Sequence, residues 1–223
     1  MPSIDSIVSS VISLVGKRDL VGKKVLVIAG STEEPIDDIR VVTNRSSGET
    51  GLELAKAAYE RGATVQLWMG RAEVELPSHI ETVRFSSFKD LQRLLKGKRF
   101  DIVLFPGAIS DYSPVAKPGK IPSDAPEIEL SLKRNPKLID SIKAKLVVGF
   151  KAQARVSDDV LIKESMKLIK RSGCRLVIAN RVEDVKLSSS RALIVDRSGS
   201  AEEVKGTKNQ IADRILDRIV RMI

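Results

Sequence analysis

Five short apolar runs, "KKVLVIAG", "ATVQLWMG", "FDIVLFPGA", "KLVVGF" and "CRLVIAN", are rich in Val, Ile and Leu and too short to be core helices. Among them lie "TGLELAKAAYERG", "SFKDLQRLLKGK" and "DVLIKESMKLIKRSG", whose apolar residues recur at helical spacing. Gly62 and Gly97 stop the first two helices. Strands apolar on both faces that alternate with helices predict an α/β fold: a mostly parallel sheet with helices on both faces. The runs "ETVRF" and "APEIELSL" predict further strands, "RALIVDRSG" with "AEEVKG" a C-terminal hairpin, and "KNQIADRILDRIVRMI" a closing amphipathic helix.

Ahead of this pattern, residues 1–21 predict an N-terminal helix and linker. Ile4, Ile7, Val8, Val11, Ile12 and Val15 form an apolar face that packs on the domain or on a partner. Residues 22–223 form the main domain. No apolar stretch approaches the ~20 residues of a membrane helix, and the start lacks a secretory signal, so a cytoplasmic location is expected.

One Cys and one His remove an intrachain disulfide, most metal sites and most nucleophilic or general-base chemistry. Cys174 opens an apolar strand and is expected in the core, whereas His79 lies in the loop "ELPSHIET" and is expected at the surface. Catalysis must then work through charge and orientation. A net charge of +9 calls for an anionic partner. Only 4% aromatic residues leave little material for stacking nucleic-acid bases. A basic nucleic-acid-binding α/β domain therefore rests on charge alone.

Ligands of open α/β sheets bind beyond the carboxyl ends of the strands. The Gly30 turn, Pro106-Gly107, Gly149-Phe150 and Ala179-Asn180 all follow apolar strands and so fall on one rim. The first turn, "GSTEEPIDDIR", has a single Gly and lacks the three-Gly dinucleotide fingerprint, which disfavours an NAD(P)-binding Rossmann oxidoreductase. Its Glu33, Glu34, Asp37 and Asp38 form either a solvated acidic loop or part of a Mg²⁺ environment.

"RVVTNRSSGETG" follows, at residues 40–51. Ser46, Ser47 and Gly48 precede a helix, whose N-terminal N–H groups either face an anion or are capped by Ser47 or Thr50. Asn44 and Arg45 are not needed for capping. In "FPGAISDYSPVAKPGKIPSDAP", Asp111 and Tyr112 lead into a segment whose Pro and Gly suit a mobile flap carrying Lys117 and Lys120. Asn135-Pro136 marks a strand-to-helix junction where Asn135 can cap. Phe150 suits the core or a stacked base. Lys163, Lys167, Lys170 and Arg171 put positive charge on one helix and towards its C-terminus.

In order, "EPIDDIRVVTNRSSGETG", "GAISDYSP…KIPS", "LKRNPKLI", "VVGF" and "CRLVIAN" resemble the phosphopantothenoylcysteine synthetase family, the phosphopantothenate–cysteine ligases of coenzyme A synthesis, over residues 22–221. The resemblance implies a modified Rossmann fold that dimerises, with sites completed across the dimer. It implies a cytidylate route: 4′-phosphopantothenate attacks CTP with Mg²⁺, and L-cysteine then displaces CMP. Such domains are commonly fused to a flavin-dependent decarboxylase, and residues 1–21 are similar to that linker. By position, the resemblance assigns Arg40 and Asn44 to the acyl group and its intermediate, and Lys120 to the triphosphate. It assigns Phe105, Pro106, Gly107, Asp111, Asn135, Pro136, Lys137, Leu138, Ile139 and Phe150 to the nucleotide. Lys167 joins them, with Lys170 or Arg171 as a second cation. Ser46, Ser47, Gly48 and Ala108 go to a phosphate or the acyl substrate. The family's Lys-Met after "SSG" is Glu49-Thr50 here, and its Gly-Phe-Ala-Ala-Glu-Thr run is "GFKAQA", which adds Lys151. The prokaryote-like form implies CTP, and the residues themselves leave ATP open.

Overall fold

The computed structural model describes residues 4–124, 126–185 and 189–223, with only the backbone at 5 and 6. Met1–Ser3 of the expected N-terminal segment and Ala125, first residue of the expected strand "APEIELSL", lie outside the described residues. In chain order the first elements are α1 (Ile4–Val15), β1 (Lys24–Ala29), β2 (Glu33–Pro35), β3 (Val41–Thr43), α2 (Glu49–Glu60), β4 (Thr64–Met69) and β5 (Glu81–Arg84). Next come α3 (Phe88–Leu95), β6 (Phe100–Phe105), β7 (Tyr112–Pro114), β8 (Leu132–Arg134) and a 3-10 turn at Leu138–Ser141. The chain closes with β9 (Ala144–Gln153), α4 (Asp158–Ser172), β10 (Leu176–Arg181), β11 (Ser190–Asp196), β12 (Ala201–Gly206) and α5 (Lys208–Val220).

Eight strands form the main sheet in the order β12-β11-β10-β9-β6-β1-β4-β5. β5, β4, β1, β6, β9 and β10 run parallel, and the β11–β12 hairpin adds an antiparallel edge. Pairing grows from β1 first towards β4 and β5, then on its other side through β6. That reversal leaves a crevice beyond the ends of β1 and β6, where α/β sheets bind ligands.

Strand alternation sends β1 side chains to two cores. Val25, Val27 and Ala29 pack with α2 and α5 through Leu52, Leu54, Ala55, Ile211, Ile215 and Ile219. Leu26 and Ile28 pack on the opposite face with Phe88 and Leu91 of α3 and Leu161 and Ile169 of α4. Each fully buried aliphatic side chain contributes roughly 1.5–3 kcal/mol, so both helical layers are held by burial rather than by helix propensity. Capping fixes their ends: Ser87 with Asp90 and Thr207 with Gln210 form reciprocal capping boxes at α3 and α5. Cys174 is fully buried, as expected.

Three local expectations are corrected. "APEIELSL" is not a strand: its described residues 126–131 are irregular and exposed, and pairing begins only at β8, which lies against β7 in a separate two-stranded ribbon. Without a covering layer, its apolar alternation has nothing to bury. The acidic run is only partly a loop: Glu33 and Glu34 lie in strand β2 of the hairpin β2–β3, and Asp37 and Asp38 in its turn, which is closed by Ile36 N donating to Arg40 O at 2.8 Å. His79 is half-buried, its ring 4.8 Å from that of Tyr59.

α1 touches α2 through buried Ser9, which donates to Glu60 at 2.9 Å. It leaves Ile4, Val11, Leu14 and Val15 exposed. No described helix is long and apolar enough to cross a membrane.

Candidate active site

β1 ends at a left-handed Gly30 (φ 74°), and a Cβ there would sit 2.6 Å from Arg71 O, so only Gly allows the turn to lie this close to the next loop. The turn is pinned to the end of β6: Gly107 N donates to Ile28 O and Ala108 N to Gly30 O, both at 2.8 Å. Asn44, just past β3, then reaches across, and its Nδ2 donates to Ala108 O at 3.0 Å. The structure thus joins Asn44 to Ala108, 64 residues away, on the rim. The Asn44 amide is exposed and has a second N–H to offer a ligand.

α2 begins beside this pair. Its N-cap is left-handed Gly48 with no side-chain cap. Ser47 Oγ accepts only a long 3.4 Å bond from Glu49 N. Of the two readings of this segment, capping is therefore weak, and the helix dipole presents nearly open N–H groups. Close approach is built in at Gly51, where a Cβ would meet Ala29 Cβ at 2.1 Å. Gly51→Ala should destabilise the fold by about 2 kcal/mol or more through overpacking. The denaturant midpoint checks this, and an unchanged midpoint would show that α2 can shift freely. Glu49 is paired with Lys208, the first residue of α5. Lys208 brings a largely buried cation to the α2 entrance, and sequence reasoning missed it.

On the other face of the sheet, a cleft of about 280 Å³ opens between the end of β6, the 3-10 turn and α4. Phe105, Gly107, Asp111 and Phe150 line it, as do Pro136, Lys137, Leu138 and Ile139. Lys167 and Arg171 also line it, whereas Lys170 is exposed and outside the lining, so of the two alternative cations Arg171 is the one at the cleft. Pro106, Asn135 and Lys120 are also outside it. Glu164 and Lys151 belong to it. Lys137 pairs with Asp111, Lys167 with Glu164 at 2.6 Å, and Arg171 with Asp140 at 3.2 Å. The hydrogen bond from Lys167 holds the Glu164 carboxyl below its usual range, with further help from the Lys167 and Lys151 charges.

Asn135 caps nothing. Its Nδ2 donates to Ser110 O at 3.0 Å and Ser113 Oγ at 2.8 Å, fixing the root of the flap. Ser113 Oγ in turn donates to Glu34 at 2.7 Å, and the other Glu34 oxygen accepts Phe88 N at 2.8 Å. This buried carboxylate sits at the N-terminus of α3, where the dipole compensates its charge.

The acidic hairpin is therefore solvated only in part: Asp38 is exposed and Glu33 half-buried, whereas its buried carboxylates have protein donors and are not ready Mg²⁺ ligands. Asp37 is also buried, and it accepts bonds from Ile39 N, Arg40 N, Arg40 Nη1 and Ile121 N at 2.7–3.0 Å. The Ile121 and Arg40 N–H groups lower its carboxyl to about 2, against the opposing effect of burial. Arg40 donates onward to Ile121 O at 3.1 Å and Ser123 Oγ at 3.3 Å. Among the described residues there is no group of three or more metal-type ligands.

Residues 20–222 match the family model described as the DNA/pantothenate metabolism flavoprotein C-terminal domain. The chain is 36% identical over 230 residues to a coenzyme A biosynthesis bifunctional protein of Thermococcus kodakarensis, covering 99% of this chain and 57% of the relative. It thus spans little more than half of that protein's length. A crystal structure of the DNA/pantothenate metabolism flavoprotein from Streptococcus pneumoniae superposes with a TM-score of 0.80 at 26% identity, covering 91% of this chain and all of the other. The C-terminal domain of a coenzyme A biosynthesis bifunctional protein gives 0.73 at 25% identity, covering 92% and 97%. The rim built by Asn44, Ala108 and the α2 entrance therefore sits on a fold shared along almost its whole length, and the chain belongs to the family of the DNA/pantothenate metabolism flavoprotein C-terminal domain.

Proposed function

We propose that this domain is a phosphopantothenate–cysteine ligase of coenzyme A biosynthesis, acting in the cytoplasm. The observation that carries this reading is the shared rim: the Asn44–Ala108 pair and the open α2 entrance lie at the end of β1, and the cation-lined cleft opens from the end of β6 beside it. Two polyanionic substrates need such neighbouring sites, and the net charge of +9 suits both.

In the first step, a carboxylate oxygen of 4′-phosphopantothenate bonds to the α-phosphorus of CTP, and the bond to pyrophosphate breaks. In the second, the cysteine amine bonds to the acyl carbon, loses a proton, and expels CMP. Neither step needs a histidine base. Both need alignment and donors for developing negative charge, which Asn44, Arg40 and Lys120 would supply. Phe105, Gly107, the 136–139 segment and Phe150 would seat the nucleotide, with Lys167 and Arg171 at its anionic edge. Mg²⁺ would arrive on the triphosphate, since Mg²⁺ binds through phosphates with few carboxylates. Glu34 and Asp37 do not fit that role because N–H and O–H donors occupy them, and the carboxylates that line the cleft are Asp111 and Glu164.

Homodimerisation is supported by apolar side chains exposed together on the hairpin and flap: Ile39, Val41, Val115, Leu130 and Leu132. The unmatched part of the longer relatives supports a further domain or subunit, which we take to be the flavin-dependent decarboxylase.

Pyrophosphate should appear with CTP and phosphopantothenate alone, and CMP only after cysteine is added. ATP should serve poorly. Arg171→Ala should raise KM for CTP about tenfold by removing a charge-assisted hydrogen bond, whereas Lys170→Ala should not. Absence of pyrophosphate with either nucleotide would overturn the ligase reading. Equal effects of the two variants would overturn the placement of the nucleotide.

A further inference from the structure

The turn at 36–40 grips the flap on both sides of Lys120. Before it, Gly119 N donates to Asp38 Oδ2 at 2.9 Å, and Gly119 O accepts Asp38 N at 3.2 Å. After it, Ile121 N donates to buried Asp37 at 3.0 Å, and Ile121 O accepts Arg40 Nη1 at 3.1 Å. Lys117 N adds a bond to Ile36 O at 3.0 Å. Lys120 itself is exposed and makes no hydrogen bond or ion pair among the described residues. A segment rich in Pro and Gly is thus ordered by bonds between residues more than 80 positions apart in sequence, with the Lys120 side chain left free between the gripped residues.

We infer that Asp37 and Asp38 form a latch that positions Lys120 on the same frame as Arg40 for the transfer step. Asp37 is the anchor, because its covered carboxylate holds the hairpin turn, Arg40 and Ile121 together. Asp38 is the clasp. It is exposed, so its bonds to Gly119 compete with water and can open and close. Neither residue is a catalytic residue, since both act through the flap backbone and Asp37 also through Arg40. The inference rests on reading Lys120 as the group that meets the triphosphate.

Asp38 is the informative site because an exposed side chain can be cut back without unfolding the domain. Asp38→Ala should lower kcat about tenfold or more with KM for CTP little changed, as expected when a reacting group is misplaced while ground-state binding stays intact. Exchange of the Gly119 amide should quicken in the same variant. Asp38→Asn keeps an oxygen acceptor for Gly119 N and should restore most of the turnover. The deciding measurement is a cycle with Lys120→Ala. If the latch acts through Lys120, Asp38→Ala adds no loss in the Lys120→Ala background. Losses that multiply would overturn the latch and leave the role of Lys120 standing. A Lys120→Ala enzyme with full turnover would instead overturn the reading of Lys120, and the latch with it.

Discussion

Asn44→Asp should reduce cysteine-dependent CMP release by about a hundredfold or more, the scale of losing one oriented donor to developing oxyanion charge, about 3 kcal/mol. The side chain keeps its size but loses both amide hydrogens. One of these now bonds Ala108 O at 3.0 Å. The replacement would set a carboxylate against that carbonyl and against any anionic substrate. Because Asn44 is exposed, stability should fall by no more than about 1 kcal/mol, the worth of one hydrogen bond. The loss should fall on kcat for both half-reactions, since both develop charge on the acyl oxygen or phosphate. Wild-type turnover in this variant would end the catalytic assignment of Asn44.

Arg61→Ala should destabilise the fold by about 3 kcal/mol. Arg61 is 3% exposed at the C-terminus of α2. Its guanidinium meets Asp19 at 3.3 Å, Asp213 at 3.1 Å and Asp217 at 2.6 Å, and its backbone carbonyl accepts Leu20 N. One side chain therefore ties α2, the segment after α1, and α5. Its removal leaves three carboxylates close together with only Lys17, on Asp217, as an ion-pair partner among the described residues. The intact knot is worth less than that cost, because Arg61 Nε and Asp19 Oδ1 are buried without a partner among the described residues. Thermal unfolding should shift down by about 10 °C for a domain of this size. Asp217→Asn in the same background should recover part of the loss by relieving repulsion. An unchanged Tm would show that the carboxylates rehydrate without penalty.

The two residues show how unevenly the chain reveals itself. Asn44 stood out in the sequence because an amide beside "RSSG" has no use in capping, and the family resemblance added its expected role. Arg61 did not, because a charged residue before a helix-stop Gly reads as an ordinary solvated end. Only the approach of α5, over 150 residues later, makes it buried. The cleft divides in the same way. Strand ends at Phe105 and Phe150 could be placed on one rim from the alternation of strands and helices, whereas the 135–139 segment was pointed to only by the family resemblance. Neither Glu164 in the lining nor the choice of Arg171 over Lys170 could be made that way. Each residue turns an α-helix by about 100°, so a neighbour in sequence lies on another face, and which face meets the cleft depends on how α4 lies on the sheet.

The acidic hairpin marks the boundary most clearly. Composition correctly located a run of four carboxylates after the first turn, but offered water or a metal as their partners. Both readings considered only what was near in sequence. In the folded chain Glu34 takes Phe88 N and Ser113, and Asp37 takes Ile121 N, at separations of 54, 79 and 84 residues. By itself the sequence determined the sheet, its two helical layers, the rim and the residue types that bear charge, because burial periodicity and backbone propensity act over a few neighbouring residues. Tertiary structure alone decided which charges face a ligand and which hold the flap, because a carboxylate takes whatever donors strand order brings beside it.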